Sequence, residues 1–169
     1  ADHLVSAWIR TYGIEATISN CTNNYGPYQH VEKFLPQQIT RVLCGRPAAV
    51  YGRGENIRDW IHVEDHCSAI WAVIERGKVG THYGVSSGNQ LSNVQVIAEL
   101  QKVMGQFDVL HVADRPGHDQ RLALDGARTR DELGWRPVHQ EFQQGLSATV
   151  DWYREHREWW RPLMPNDLR

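Results

Sequence analysis

Three short segments of this sequence place charged or amide side chains beside glycine or proline, where a chain turns. They are Asn23-Asn24, Arg58 and the run 114–118, which reads Asp-Arg-Pro-Gly-His, and Lys33 follows the first of them closely. The guanidinium group of arginine matches the oxygens of a phosphate group, and amides both donate and accept hydrogen bonds. Because function concentrates in loops on a rigid scaffold, these segments predict an anion-binding site. The alternative is that Arg58 and Asp59 form ordinary surface ion pairs.

Other patterns that could support chemistry are incomplete. His62 and His66 are four residues apart, but they straddle a strand-to-helix junction and no Cys/His quartet accompanies them, so no metal site is predicted. The run Ser86-Ser87-Gly88 is not a nucleophile elbow. The run Gly52-Arg53-Gly54 lacks the third glycine of a dinucleotide-binding fingerprint and does not open a helix. We therefore predict binding groups but no catalytic residue within this chain.

Composition limits the classes of partner. The chain has 169 residues, enough for a buried core, and a net charge of −2, which predicts no attraction to nucleic acid or to an anionic membrane. No apolar run is long enough to span a bilayer, and the start lacks the pattern of a secretory signal. The odd count of three cysteines, without a C-x-x-C motif, predicts reduced thiols in a cytoplasmic protein.

Helical and extended patterns alternate along the chain, which predicts the α/β class. Ser92 and Gln95 form a capping-box pattern before one helix, and Gly45, Gly77 and Gly105 follow the ends of others. Residues 21–32 are predicted to be a loop. Helices are predicted at about 4–12, 35–43, 65–76, 93–104, 126–133 and 140–159, and strands at about 15–20, 48–51, 57–63, 83–87 and 108–112.

The first residues read as a helix already under way. Leu4, Val5, Trp8, Ile9 and Tyr12 mark one face at helical spacing, and no initiator Met precedes Ala1. Asp2 could cap this helix, but it is equally compatible with a helix that begins upstream. In the second case the chain would be the C-terminal piece of a longer protein, and the pattern alone leaves both possibilities open.

Several runs resemble one known family across nearly the whole chain. They are Asp2–Val5, Asn20–Tyr28, Glu32-Lys33-Phe34, Tyr51–Trp60, Val63–His66, Asp114–Asp119 and Glu132–Trp135. The sequence is similar to the dTDP-glucose 4,6-dehydratase family, within the extended short-chain dehydrogenase/reductase superfamily. Asn-Asn-Tyr-Gly-Pro recurs across sugar-nucleotide enzymes of that superfamily. Its combination with Glu-Lys-Phe, Ile-Arg-Asp-Trp and Asp-Arg-Pro-Gly-His is more specific.

The resemblance implies a reaction, a cofactor and a site. The family oxidises C4 of a dTDP-sugar with NAD, eliminates water across C5 and C6, and returns the hydride to C6. By position, Asn24 would contact NAD, and Arg58 would bind the diphosphate. Lys33 and Phe34 would line the nucleotide site. The other implied substrate contacts are Asn23, Ala49, Val50, Tyr51, Asn93, Asp114, Arg115, Pro116, Gly117 and His118.

The resemblance also implies a domain layout. The chain would be the C-terminal portion of an extended short-chain dehydrogenase, with the end of the Rossmann sheet plus the smaller substrate-binding domain. Residues 1–32 would close the NAD-binding Rossmann domain, and residues 33–169 would mainly bind the sugar nucleotide. Residues 48–63 would return to the Rossmann sheet. The full-length protein would be a homodimer, and residues 2–12 would lie near its interface.

The sequence departs from the family pattern in two ways. The family's glycine-rich fingerprint, its Asp-Glu pair and its Tyr-x-x-x-Lys motif are absent, so we predict that this chain alone is inactive. Ser86 and Ser87 stand where relatives carry glycine, which puts the cofactor contact of that loop in question. Two alternatives stay open: a fragment of a UDP-sugar epimerase or decarboxylase, and a non-catalytic sugar-nucleotide-binding module.

Overall fold

The computed structural model describes residues 1–165; residues 166–169, which fall within the predicted 33–169 domain, lie outside the described part. Helices alternate with short strands that are mostly parallel, which confirms the α/β class. The helices are α1 (Asp2–Tyr12), α2 (Phe34–Leu43), α3 (Val63–Arg76), α4 (Asn93–Met104), α5 (Ala127–Leu133), α6 (Phe142–Glu155) and α7 (Arg157–Trp160). The strands are β1 (Ile18–Cys21), β2 (Asn23–Tyr25), β3 (Ala48–Tyr51), β4 (Ile57–His62), β5 (His82–Val85), β6 (Gln90–Ser92), β7 (Val109–Val112) and β8 (Arg121–Leu122).

Strand β4 holds the strands of the central sheet together. Its second half pairs in parallel with β2, so that Asn23 lies opposite Trp60. Its first half lies between β6, which is antiparallel, and β8, which is parallel. Two further parallel pairs, β1 with β5 and β3 with β7, complete the described strand pairing. Residues 59–62 of β4 are all buried, which means that both faces of this strand are covered.

Helix caps agree with the sequence patterns. The Ser92 hydroxyl accepts from the Gln95 N–H, and the Gln95 side chain accepts from the Ser92 N–H, which confirms the capping box of α4. Gly77 and Gly105 follow the ends of α3 and α4 as predicted, and Gly13 ends α1 in the left-handed conformation, where a Cβ would be strained. Helix α3 has a less usual cap, because the imidazole of His62 accepts from the Glu64 N–H.

Strand β6 was not predicted, and two predicted segments differ from the structure. The predicted loop 21–32 contains β2, a three-residue strand whose pairing with β4 depends on residues more than thirty positions later. The predicted helix 140–159 ends at Glu155 and restarts at Arg157. His156, between them, has φ −113° and ψ 46°, which is not helical.

The apolar side chains form two cores. The larger one lies among α2, β3, α4 and α6, and Trp160 is completely buried in it. The smaller one joins Ile61 of β4 to α3, β5 and the segment that ends at Trp135. Together they hold β4 from both sides.

Helix α1 is left out of both cores. None of its residues is buried, and Leu4, Trp8 and Tyr12 are 61%, 50% and 70% exposed. Strand β1 pairs with β5 alone among residues 1–165, so one of its edges is open. No helix within the same range has the length and apolar character needed to cross a bilayer.

Candidate functional site

Arg58 lies in the first half of β4, where its guanidinium group is held in place by two carbonyl oxygens. Nη1 donates to the carbonyl of Ile57 at 2.7 Å, and Nη2 donates to the carbonyl of Asp119 at 2.9 Å. The side chain of Asn56 donates to the same Asp119 carbonyl at 3.1 Å. The charged loop, residues 114–119, is therefore anchored to β4 beside Arg58, and the structure brings two of the three predicted segments together.

Tyr51 is the centre of the charged loop's packing. The guanidinium carbon of Arg115 lies 5.0 Å from the centre of the Tyr51 ring, within the range of a cation–π contact. The imidazole of His118 meets the same ring edge-on, with 6.3 Å between ring centres. Nδ1 of His118 lies 2.8 Å from Oδ1 of Asp114, and the same oxygen accepts from the Arg115 N–H at 2.8 Å. The end of strand β3 and the charged loop thus pack against each other.

A cavity of about 550 Å³ opens between the turn after β3 and this loop. Gly54 shapes the turn: its φ is +72°, and a Cβ there would come within 2.6–2.7 Å of Val50 and Val94. Two predicted residues, Asp114 and His118, line the cavity. The other lining residues are Gly52, Arg53, Glu55, Asn56, Ile57, Gln120 and Arg121. Its wall mixes guanidinium, amide and carboxylate groups, a set that can hold the phosphates and hydroxyls of a sugar nucleotide.

The remaining predicted nucleotide contacts gather around Trp60, two residues beyond Arg58. Asn23 lies opposite Trp60 in the β2–β4 ladder, and the ring of Phe34 lies 6.0 Å from the Trp60 ring. Lys33 is exposed at the start of α2 and pairs with Glu32 at 2.9 Å. Alternate residues of a strand are about 6.6 Å apart and share a face. Strand β4 therefore places the residues around Arg58 next to the residues around Trp60.

The other predicted residues take more varied positions. Val50 is fully buried and supports β3 from the core, whereas the Ala49 N–H donates to the Gln38 side chain at 2.7 Å. Asn93 is buried at the start of α4, where its N–H donates to the Asn56 carbonyl. Pro116 and Gly117 are exposed. Asn24 is half-buried, and its side chain contacts Nδ1 of His66 at 3.0 Å.

Asp59 excludes the alternative in which Arg58 and Asp59 form surface ion pairs. Its carboxylate is completely buried and accepts hydrogen bonds from the hydroxyls of Ser86 (2.8 Å), Thr22 (3.2 Å) and Ser87 (3.3 Å). Thr22 at the end of β1, and the two serines that depart from the family pattern at the end of β5, therefore join these strands to β4. Arg58 points instead to the carbonyls of the charged loop.

The charged loop carries a testable pH dependence. Hydrogen bonds from His118 and from the Arg115 N–H lower the pKa of Asp114 below its usual value of 3.8. A lowered carboxyl pKa adds stability above the unfolded value, and that stability is lost as the pH falls through the folded value. We expect His118→Gln to raise the Asp114 pKa toward 3.8, as measured by an NMR titration of the carboxyl carbon. His111→Gln, which changes an exposed histidine, is the control. An unchanged Asp114 pKa in His118→Gln would contradict the assignment of the lowered pKa to His118.

Sequence reasoning missed part of the site. Asn56, Gln120 and Arg121 line the cavity, but no motif singled them out. Arg121 is fixed by two hydrogen bonds to the Gln90 side chain, at 2.7 and 3.1 Å. The only available signal was the position of Gln120 and Arg121 directly after the charged loop.

Comparisons with known proteins identify the family to which this chain is similar. The family model for GDP-mannose 4,6-dehydratase matches residues 1–149. The chain is 54% identical over 165 residues to the dTDP-glucose 4,6-dehydratase of Mycolicibacterium smegmatis, with 96% of this chain and 50% of that protein covered. It is 41% identical over 172 residues to a probable dTDP-glucose 4,6-dehydratase of Sinorhizobium fredii, with 96% and 49% covered. The chain thus spans about half the length of these relatives.

Solved structures show the same relation. DesIV, a dTDP-glucose 4,6-dehydratase from Streptomyces venezuelae crystallised with NAD bound, matches with a TM-score of 0.93 and 44% identity; 96% of this chain and 51% of DesIV are covered. A UDP-glucuronic acid 4-epimerase from Bacillus cereus shares the fold, with a TM-score of 0.86 and 22% identity, over 91% of this chain and 50% of its own. The chain belongs to the GDP-mannose 4,6-dehydratase family, and it matches the C-terminal half of proteins named dTDP-glucose 4,6-dehydratase.

Proposed function

We propose that this chain is the sugar-nucleotide-binding part of a dTDP-glucose 4,6-dehydratase. That enzyme would use NAD to convert dTDP-glucose to dTDP-4-keto-6-deoxyglucose. The observation that carries the proposal is the anchoring of Arg58 beside the charged loop and its cavity. The similarity to dehydratases of the same name supports it, and the epimerase match is weaker in identity.

Each predicted residue has a part in this proposal. Arg58 and Arg115 bind the diphosphate, and Tyr51, Asp114 and His118 form the wall beside it. Asn23, Lys33 and Phe34 contact the rest of the substrate, and Asn24 contacts NAD. The pocket is completed by strand residues Ala49 and Val50, by Asn93 at the start of a helix, and by loop residues Pro116 and Gly117.

The proposal extends to the remainder of the molecule. Residues 1–32 belong to the NAD-binding domain and residues 33–169 mainly to the substrate domain, with residues 48–63 returning to the Rossmann sheet. Most NAD contacts and the groups for hydride and proton transfer belong to sequence other than these 169 residues, so this polypeptide alone has no dehydratase turnover. We also propose a cytoplasmic homodimer in which the exposed face of α1 is covered.

The binding proposal predicts a loss of affinity in Arg58→Ala. A hydrogen bond to a charged group contributes about 1.5–3 kcal/mol, so we expect dTDP to bind about 10- to 100-fold more weakly by isothermal titration calorimetry. Arg128→Ala, which removes an exposed arginine from α5, is the matched control and is expected to leave the affinity unchanged. UDP is measured in parallel, because a preference for UDP would favour the epimerase or decarboxylase alternative. Equal affinity of Arg58→Ala and the unmodified chain for dTDP would refute the diphosphate role.

A further inference from the structure

A cluster of side chains that can act as metal ligands lies at the opposite end of β4 from Arg58. It consists of His62 at the end of the strand, Glu64 in the first turn of α3, and His139 in the segment before α6. Their ligand atoms all lie within 4.8 Å of one another. The two imidazole rings are 4.0 Å apart between centres and tilted by 30°. Three metal-ligand side chains from two distant parts of the sequence therefore meet at one point.

The distances in this cluster are close to those of a coordination shell. Oε2 of Glu64 lies 3.5 Å from Nε2 of His139 and 3.9 Å from Nδ1 of His62. A tetrahedral zinc ion with bonds of about 2.0–2.1 Å holds neighbouring ligand atoms about 3.4 Å apart. The Glu64 side chain is 70% exposed and can close the remaining distance by rotation. The ligating nitrogens of the two imidazoles lie within 4.8 Å of one another, and the tilted rings must turn so that both lone pairs point to one ion.

The ring of His139 is already oriented for metal binding by a carboxylate behind it. Asp65, which is 2% exposed, accepts from the backbone N–H groups of Val138 (2.7 Å) and His139 (3.0 Å). Its Oδ2 also lies 3.2 Å from Nδ1 of His139. This contact places the proton on Nδ1 and leaves the lone pair of Nε2 directed away from Asp65. A carboxylate that fixes the second nitrogen of a histidine is the usual support of a metal-binding imidazole.

The hydrogen bonding of His62 leaves one ring nitrogen suited to a metal. Its Nδ1 accepts a long hydrogen bond, 3.4 Å, from the Glu64 N–H, so this nitrogen carries a lone pair. A metal at Nδ1 would replace only this long hydrogen bond.

We propose that His62, Glu64 and His139 bind one divalent transition-metal ion of the zinc class. Two neutral imidazoles and one carboxylate are a common protein ligand set for zinc, and water would complete the tetrahedron. The site joins the β4–α3 junction to the segment that leads into α6. Its role is therefore to clamp two parts of the fold rather than to act in the sugar chemistry. The sequence did not indicate this metal site, because His139 lies far from His62 along the chain. His66, which is close to His62 in sequence, contacts Asn24 instead.

The test is a zinc titration of the metal-free chain in competition with a chromogenic chelator. We expect one equivalent to bind, and we expect excess zinc to raise the midpoint of thermal unfolding, because a ligand that binds only the folded state stabilises it. Cobalt in place of zinc is expected to give visible bands of tetrahedral nitrogen and oxygen ligation without a thiolate charge-transfer band. That second result separates this site from the exposed Cys21 and Cys67.

Single substitutions decide whether these residues are the ligands. We expect His139→Ala and Glu64→Ala each to weaken zinc binding at least about tenfold, and Glu64→Ala keeps the folded state intact because its side chain is exposed. His3→Ala, which removes an exposed histidine from α1, is the control and is expected to bind zinc as the unmodified chain does. The proposal is overturned if the unmodified chain binds no zinc, if a thiolate band appears, or if both variants retain full affinity.

Discussion

Asp59→Ala is expected to lower the free energy of unfolding by about 2–4 kcal/mol. The substitution removes the acceptor of three hydroxyl groups, and two of them, on Thr22 and Ser86, are themselves buried. A buried donor without a partner costs about 1–3 kcal/mol. Ser87 loses less, because its hydroxyl also donates to the Trp60 carbonyl at 2.7 Å. Urea denaturation followed by circular dichroism at neutral pH measures the difference.

Two comparisons sharpen this experiment. Asp108→Ala removes an exposed carboxylate and is expected to change the stability by no more than about 0.5 kcal/mol. Asp59→Asn retains an oxygen acceptor of the same shape and is expected to lose less stability than Asp59→Ala. If Asp59→Ala cost less than about 1 kcal/mol, the hydroxyls must have found other partners, and the network would not be what joins β1 and β5 to β4.

Trp160→Ala is expected to have the largest effect on stability, a loss of about 3–5 kcal/mol. The Trp160 ring is fully buried in the larger core, and its Nε1 donates to the Tyr153 carbonyl at 2.6 Å. Alanine would leave a large cavity and an unpaired carbonyl at the point where α6 and α7 meet. Thermal and urea unfolding of the two proteins measure the loss.

Trp71 provides the matched control for this substitution. It is 61% exposed on α3, so Trp71→Ala is expected to change the stability by no more than about 0.5 kcal/mol. Equal losses in the two variants would show that tryptophan content, rather than burial of Trp160, accounts for the effect. A loss below about 1 kcal/mol in Trp160→Ala would mean that the larger core collapses around the missing ring.

Local signals in the sequence predicted most helices because their determinants lie within a few residues. The Ser92–Gln95 capping box and the glycine after α4 are examples. Strand β2 was missed because three polar or aromatic residues have no strand pattern of their own and are ordered by β4. The break at His156 was missed as well, since its neighbours continue the helical spacing.

The site shows the same division between local and distant determinants. Motifs singled out Arg58 and the charged loop as candidate phosphate-binding residues, because the residue types that bind phosphate are few and their turns carry glycine and proline. The anchoring of Arg58 on the Asp119 carbonyl depends on the pairing of β4 with β8, which no local pattern encodes. The meeting of His62 with His139 is likewise a product of tertiary packing.

The uncovered face of α1 has a consequence for the fate of this polypeptide in a cell. A helix that offers Leu4, Trp8 and Tyr12 to water is a target for chaperones and for proteolysis. Any chain that shields this helix and pairs with the open edge of β1 would stabilise the folded state by mass action. The cellular level of this 169-residue polypeptide should therefore rise and fall with the level of the chain that covers α1.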